Sequence, residues 1–149
     1  MEIVGTVDAL LKEKGSTVYS IAPEATVFDA ITMMSEKNIG ALLVFENQRL
    51  IGIISERDYT RKVALKGKAS KQTPVREILS ERLVTTPPDA TIEECLVAMT
   101  EHRIRHLPVV RGETVLGVVS IGDLVNFVIS SQHATIQQLQ GYISGSYSV

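Results

Sequence analysis

The sequence predicts an α/β protein of two β-α-β-β-α repeats, and three observations carry that reading. First, residues 17–63 lie over residues 82–128 without a gap, 65 positions apart, pairing Pro23 with Pro88, Ala25 with Ala90, Thr26 with Thr91 and Met34 with Met99. Second, each copy runs through the same periodicities: a helical apolar stripe, two short β-branched runs, then a second helical pattern. Third, a copy of about 45 to 60 residues is too small to bury a good core alone, so the copies are expected to pack together.

The elements follow in order. Residues 1–16 hold TVDALLKEKG, a short helix capped by Thr6, with Val7, Leu10 and Leu11 on one side and Gly15 as its stop. It is expected to cover a sheet edge. The first repeat spans 17–66 and the second 82–130, opening on STVYSI and RLVTT, each able to supply a strand. PEATVFD and PDATIEE then set Thr26 before Asp29 and Thr91 before Glu94, the spacing of a capping box. Val27, Ala30, Ile31 and Met34, like Ile92, Cys95, Leu96 and Met99, keep the spacing of a helix with one buried face. ALLVF with LIGII, and HLPVV with VLGVV, read as hairpins. Each hairpin ends in a corner, GIISERDYT or GVVSIGDLV, where a strand turns into a helix and Gly52, Ser55 and Asp58 recur as Gly117, Ser120 and Asp123.

Three segments fall outside the duplication: the opening helix, a linker at 67–81 and a tail at 131–149. From residue 61 to 76 every charge is positive. A solvated linker and a contact to a phosphorylated ligand both fit this run. The tail continues the last helix, with Ile136, Leu139 and Ile143 as a sparse stripe suited to a subunit contact. Tyr142 and Tyr147 fit either an interface or disordered role or the stacking of a base.

A chain of 149 residues, 44% apolar and 21% charged, has the composition of a globular protein. Its formal charge of −2 gives no global reason to expect nucleic acid or an anionic membrane as partner. One cysteine excludes an internal disulfide framework and a multi-cysteine zinc site, and fits a reducing compartment. With no signal peptide pattern and no apolar run of membrane-spanning length, a soluble cytoplasmic protein is expected.

Chemistry concentrates at the two corners. Ser55 with Asp58, and Ser120 with Asp123, have the spacing of a helix cap in which both side chains serve the backbone. The same corner offers free N–H groups, a positive dipole end, a carboxylate suited to a ribose diol and a hydroxyl suited to a phosphate or sugar oxygen. Capping and binding both stand at this point. Other constellations are weaker. His102 and His106 are four apart but have no third ligand, so no metal site is expected. Cys95 lies on the buried stripe, at the register position of Ala30. Neither serine sits in G-x-S-x-G, and neither G-x-G-x-x-G nor G-x-x-x-x-G-K-[ST] occurs.

The paired corners, the Pro-x-Ala-Thr starts and RIRHLPVV together resemble a tandem pair of cystathionine β-synthase (CBS) domains over about residues 17–130, in the manner of small stand-alone CBS-pair proteins of bacteria and plant organelles. The resemblance implies a pseudo-twofold module, a homodimer forming a four-repeat disk, and adenosine nucleotides held between repeats: AMP foremost, with ATP or NAD(H) as other candidates. It implies one cleft at Ser120, Gly122 and Asp123 with Thr17, Val18 and Tyr19, and a second at Ser55, Arg57 and Asp58 with Leu83 and Val84. Arg103, Arg105 and His106 precede the strand beside the second corner, where the first copy has Asn38, Gly40 and Ala41. That asymmetry favours the Ser120/Asp123 cleft for a phosphate. The expected function is a non-catalytic regulatory module that reports nucleotide state to an unidentified effector protein. The alternatives are a ligand-free dimeric scaffold and an enzyme using Asp58 and Asp123 on a phosphorylated nucleoside.

Overall fold

The computed structural model describes residues 3–79 and 82–144, with backbone alone at 133–136, 138 and 142–144. In chain order its elements are α1 (Val7–Lys14), β1 (Ser20–Ile21), α2 (Val27–Lys37), β2 (Ala41–Glu46), β3 (Arg49–Ser55), α3 (Glu56–Asp58), a π-helical turn (Tyr59–Ala64), a 3₁₀ turn (Val75–Ile78), α4 (Ile92–His102), β4 (His106–Arg111), β5 (Thr114–Ser120) and α5 (Ile121–Ser144). They sort into two compact units, one of Met1–Ser16, Thr86–Val109 and Gly117–Val149, the other of Thr17–Thr85 and Val110–Leu116. The α/β class and the duplicated order of elements are those the sequence predicts.

In the second of these units β1 runs parallel to β2, and β2 antiparallel to β3. Helix α2 starts at Thr26, whose hydroxyl accepts the Asp29 N–H at 3.1 Å, and ends at Asn38 in the left-handed region. Its buried face, Val27, Ala30 and Met34, packs into one core with Leu42, Val44, Ile54 and Val63. The apolar spacing of the sequence is thus the spacing of the core.

The first unit repeats this plan with one strand fewer. Helix α4 starts at Thr91 with a full capping box to Glu94 and buries Ile92, Cys95 and Met99. The expected strand in RLVTT is reduced to a single parallel bridge, Thr86 to Val109, in the register that Ile21 and Val44 hold 65 residues earlier. Pro108 supplies the reason. In the first repeat the Leu43 N–H donates to the Tyr19 carbonyl at 3.1 Å. Its counterpart, Pro108, has no N–H to give.

Two segments read as lying outside the duplication are a repeat of their own. GTVDALL at 5–11 and TPVREIL at 73–79 make the same backbone bonds, each to the start of one long helix. Val7 and Asp8 donate to the carbonyls of Ala90 and Pro88, both at 2.9 Å, and Gly5 accepts from Ile92 at 3.1 Å. Val75 and Arg76 donate to Ala25 and Pro23 at 2.8 and 2.9 Å, and Thr73 accepts from Val27 at 2.8 Å. Each segment then lays a leucine over a strand glycine. A Cβ on Gly117 would stand 2.9 Å from Leu11, and one on Gly52 would stand 3.1 Å from Leu79. Helix α1 therefore packs on β5 at Gly117, an edge strand of the two-stranded β4–β5 sheet, in keeping with the expected sheet-edge position. Residues 73–79 bury Thr73, Val75 and Ile78, a role that a connecting segment lacks.

The helices after the two corners differ. Repeat one has the three residues of α3 and a π-helical turn, with Leu65 N–H bonded to Thr60 and Lys68 N–H to Val63. Repeat two has the 24 residues of α5. Leu139 on its far end is exposed. The side chains of Ile136, Tyr142 and Ile143 and all of Tyr147 lie outside the described residues.

Candidate functional site

Strand β5 ends at Ser120, and the Ser120/Asp123 pair closes the start of α5 reciprocally. The Asp123 N–H donates to Ser120 Oγ at 3.1 Å, and the Ser120 N–H donates to Asp123 Oδ2 at 2.8 Å. The capping reading of the spacing is therefore correct. It does not exhaust the corner, because a carboxylate retains acceptor capacity after one such bond.

The cationic turn abuts this corner. The Ile121 N–H, first of α5, donates to the Arg105 carbonyl at 2.9 Å. Arg103 closes α4 in the left-handed region at φ 55°, its N–H reaching the carbonyls of Met99 and Thr100. His106 opens β4 and is half-buried, whereas Arg105 is exposed. Gly122, also exposed, stands in the first turn of α5. Ser120, Gly122, Asp123, Arg103, Arg105 and His106 thus share one unit. A long helix N-terminus, a carboxylate and three residues able to carry positive charge suit an anionic ligand with hydroxyl groups.

The first corner is built alike but is more self-contained. Ser55 N–H and Oγ both donate to Asp58 Oδ2, at 2.9 and 3.0 Å, and Asp58 N–H donates back to Ser55 Oγ at 3.2 Å. Lys62, within the basic run, stands 3.3 Å from Asp58 Oδ1 and donates to the Ile78 carbonyl at 3.1 Å. Gly40 takes the place of Arg105, accepting the Glu56 N–H. Arg57 lies in α3 and is half-buried. Leu83 and Val84, in the same unit, are half-buried in irregular chain.

Thr17, Val18 and Tyr19 belong to that unit too, with Tyr19 partly exposed and the Lys37 ammonium 5.5 Å from the centre of its ring. Much of the basic run is committed to protein partners. Arg76 pairs with Glu46 and Glu24, Lys68 lies 4.0 Å from Glu77, and Lys71 sits over Phe28. Those contacts occupy cations that a phosphate contact would need. Cys95 is buried, its Sγ 3.6 Å from Thr86 Oγ1; desolvation pushes its thiol pKa up against that hydrogen bond, which fits a core residue.

One residue of the second-copy corner escaped the sequence reading. Lys14, at the end of α1, donates to Asp123 Oδ2 at 2.5 Å and to the Val118 carbonyl at 2.6 Å. Burial raises the Asp123 carboxyl pKa, but the Lys14 bond and the Ser120 bonds outweigh it and hold the group below its ordinary range. Beside the pair lies a groove of about 250 Å³ lined by Leu10, Glu13, Lys14, Asp123, Asn126, Phe127 and Ser130. No local spacing signals a contact 109 residues apart. The match between residues 5–11 and 73–79 was the available clue, since it brings α1 to the second repeat.

The CBS-domain family matches twice, over residues 15–65 and 75–130. The mitochondrial CBS domain-containing protein CBSX3 of Arabidopsis thaliana is 38% identical, over 95% of this chain and 73% of its own length. The crystal structure of the CBS domain NE2398 superposes with a TM-score of 0.80 at 46% identity, over 84% of this chain and 98% of that one. A hexameric CBS-CP12 protein from bloom-forming cyanobacteria gives 0.72 at 32% identity, over 82% and 70%. Such pairs are generally non-catalytic regulatory or signalling modules, and CBS domains commonly bind adenosine ligands. Among the described residues no helix is long and apolar enough to cross a membrane.

Proposed function

Because the chain belongs to the CBS-domain family, with two repeats, we propose that it is a nucleotide-responsive regulatory module whose principal ligand seat is the Ser120/Asp123 corner. AMP is the ligand of choice, ATP and NAD(H) being chemically related candidates. Asp123 takes the ribose diol, Ser120 and the α5 N-terminus take phosphate or sugar oxygens, and Arg103, Arg105 and His106 supply positive charge. One observation carries the reading: the Arg105 carbonyl is bonded to the first N–H of α5, which sets the cationic turn against the corner of one repeat only. The resemblance assigns the base to Thr17, Val18 and Tyr19.

Ligand binds without being consumed and shifts the population of conformations, by no more than its differential affinity for them. A homodimer is the proposed assembly; the hexameric relative supports self-association without that copy number, and a separate effector protein reads the change. Calorimetric titration with AMP tests the proposal. Saturable binding without turnover, lost or weakened at least tenfold in Asp123→Ala, is the expected outcome. An isotherm unchanged by the substitution overturns it and leaves the scaffold reading, which the closed Ser120–Asp123–Lys14 network also satisfies.

A further inference from the structure

Lys14 stands where a ligand of this corner has to bind. Its Nζ reaches Asp123 Oδ2 at 2.5 Å and the Val118 carbonyl at 2.6 Å, while the Ser120 N–H occupies the same Oδ2 at 2.8 Å. A ribose diol engages a carboxylate best through both oxygens, so it has to share or take over Oδ2. Because the Ser120 N–H is fixed in the backbone cap, the movable competitor is the lysine.

The rest of α1 is built to let only this end move. Val7 and Asp8 donate to the carbonyls of Ala90 and Pro88, Gly5 accepts from Ile92, and Leu11 is buried against Gly117. Gly5, at φ +128°, lies so near Phe127 that a Cβ there would stand 2.5 Å from the ring. The beginning of the helix is thereby held from several sides. Its last turn is different. Lys14 is 37% exposed, it lines an open groove with Glu13 and Asn126, and Gly15, at φ 99°, follows it. From Gly15 the chain runs through Ser16 directly into Thr17, Val18 and Tyr19.

We propose that Lys14 is an internal competitor for the nucleotide ribose at Asp123, so that it sets the affinity of the corner and links ligand occupancy to release of the last turn of α1. This inference rests on the nucleotide reading above and adds to it a residue and a direction. Where the lysine holds the carboxylate, only the fraction of molecules with Lys14 released is competent to bind, and removing the competitor removes that handicap. By linkage, ligand must loosen Lys14 as much as Lys14 weakens ligand. Among the described residues, the first repeat pairs Asp58 with Lys62, four positions on in the following π-helical turn, rather than with a lysine from a distant segment.

The experiment compares wild type, Lys14→Met and Lys14→Arg by calorimetry with AMP and with adenosine, and follows amide hydrogen exchange at Gly15, whose N–H is bonded to the Leu11 carbonyl at 2.7 Å. Thermal melts establish that each variant is folded. Lys14→Met is expected to bind both ligands about three- to sixfold tighter, the scale of one part-exposed ion pair, while Lys14→Arg keeps wild-type affinity. AMP is expected to speed exchange at Gly15 in wild type. Weaker AMP binding with unchanged adenosine binding would make Lys14 a phosphate partner and overturn the competitor. Equal affinity in all three proteins would overturn it as well, with the nucleotide reading intact. Absence of AMP and adenosine binding in wild type and both variants would bring down the nucleotide reading and this inference together.

Discussion

Asn38 and Arg103 occupy the same register position and the same left-handed conformation, at φ 54° and 55°, each closing a long helix. Asparagine visits that region readily, whereas most L-residues incur about 1 kcal/mol or more there. The second repeat thus retains backbone strain beside the corner where the proposed ligand sits. Strain of this kind persists where a side chain has other work, and a cation directed to phosphate is such work. Arg103→Asn is therefore expected to raise stability to urea by about 0.5 to 1 kcal/mol and to weaken AMP binding about fivefold or more. Equilibrium unfolding and calorimetry on the same protein check both halves; lower stability with unchanged affinity would return Arg103 to the status of an ordinary turn residue.

Between the elements, the lead segments have the most to teach. Val7, Leu10 and Leu11 were legible as a helix face from their spacing, and Thr6 as its cap, because both are local properties of one turn or two. Their partner was not. A match between 5–11 and 73–79 is seven residues long and lies 68 positions apart rather than 65, and TPVREIL hides its equivalence behind Pro74 and a change from α-helix to 3₁₀ turn. The corners were legible because Gly, Ser and Asp recur at fixed spacing. Gly52 and Gly117 recur for a reason that spacing alone does not reveal, the approach of a leucine from a distant segment. The loss of the second lead-in strand was masked likewise, since Pro108 acts by lacking the N–H that its counterpart Leu43 donates to the lead-in strand. If residues 73–79 are core, Ile78→Ala should lower the unfolding free energy by about 2 to 4 kcal/mol. Gln72→Ala, on the exposed part of the same connection, should change it by less than about 0.5 kcal/mol. Urea midpoints distinguish the two, and equal effects would restore a plain linker.

At the scale of the whole chain, duplication explains two corners but not their inequality. Helix α5 runs for 24 residues from Ile121, so its N-terminus carries the full partial charge of a long helix. The first corner opens instead onto three α-helical residues and a π-helical turn. There the Ser55 hydroxyl is spent on Asp58, whose other oxygen faces Lys62. Beside it stand Asn38, Gly40 and Ala41 in place of Arg103, Arg105 and His106. A ligand approaching Asp58 would have to undo a cap and an ion pair to Lys62 in the adjoining π-helical turn. AMP is accordingly expected to saturate at one equivalent per chain, and Asp58→Ala to leave that stoichiometry and affinity within about twofold of wild type. Asp123→Ala should remove the signal. Titration at chain concentrations well above the dissociation constant reads the equivalence point directly. Two equivalents, one lost with each aspartate, would mean that the duplicated corners are equal and that the cations beside one of them do not decide where nucleotide binds.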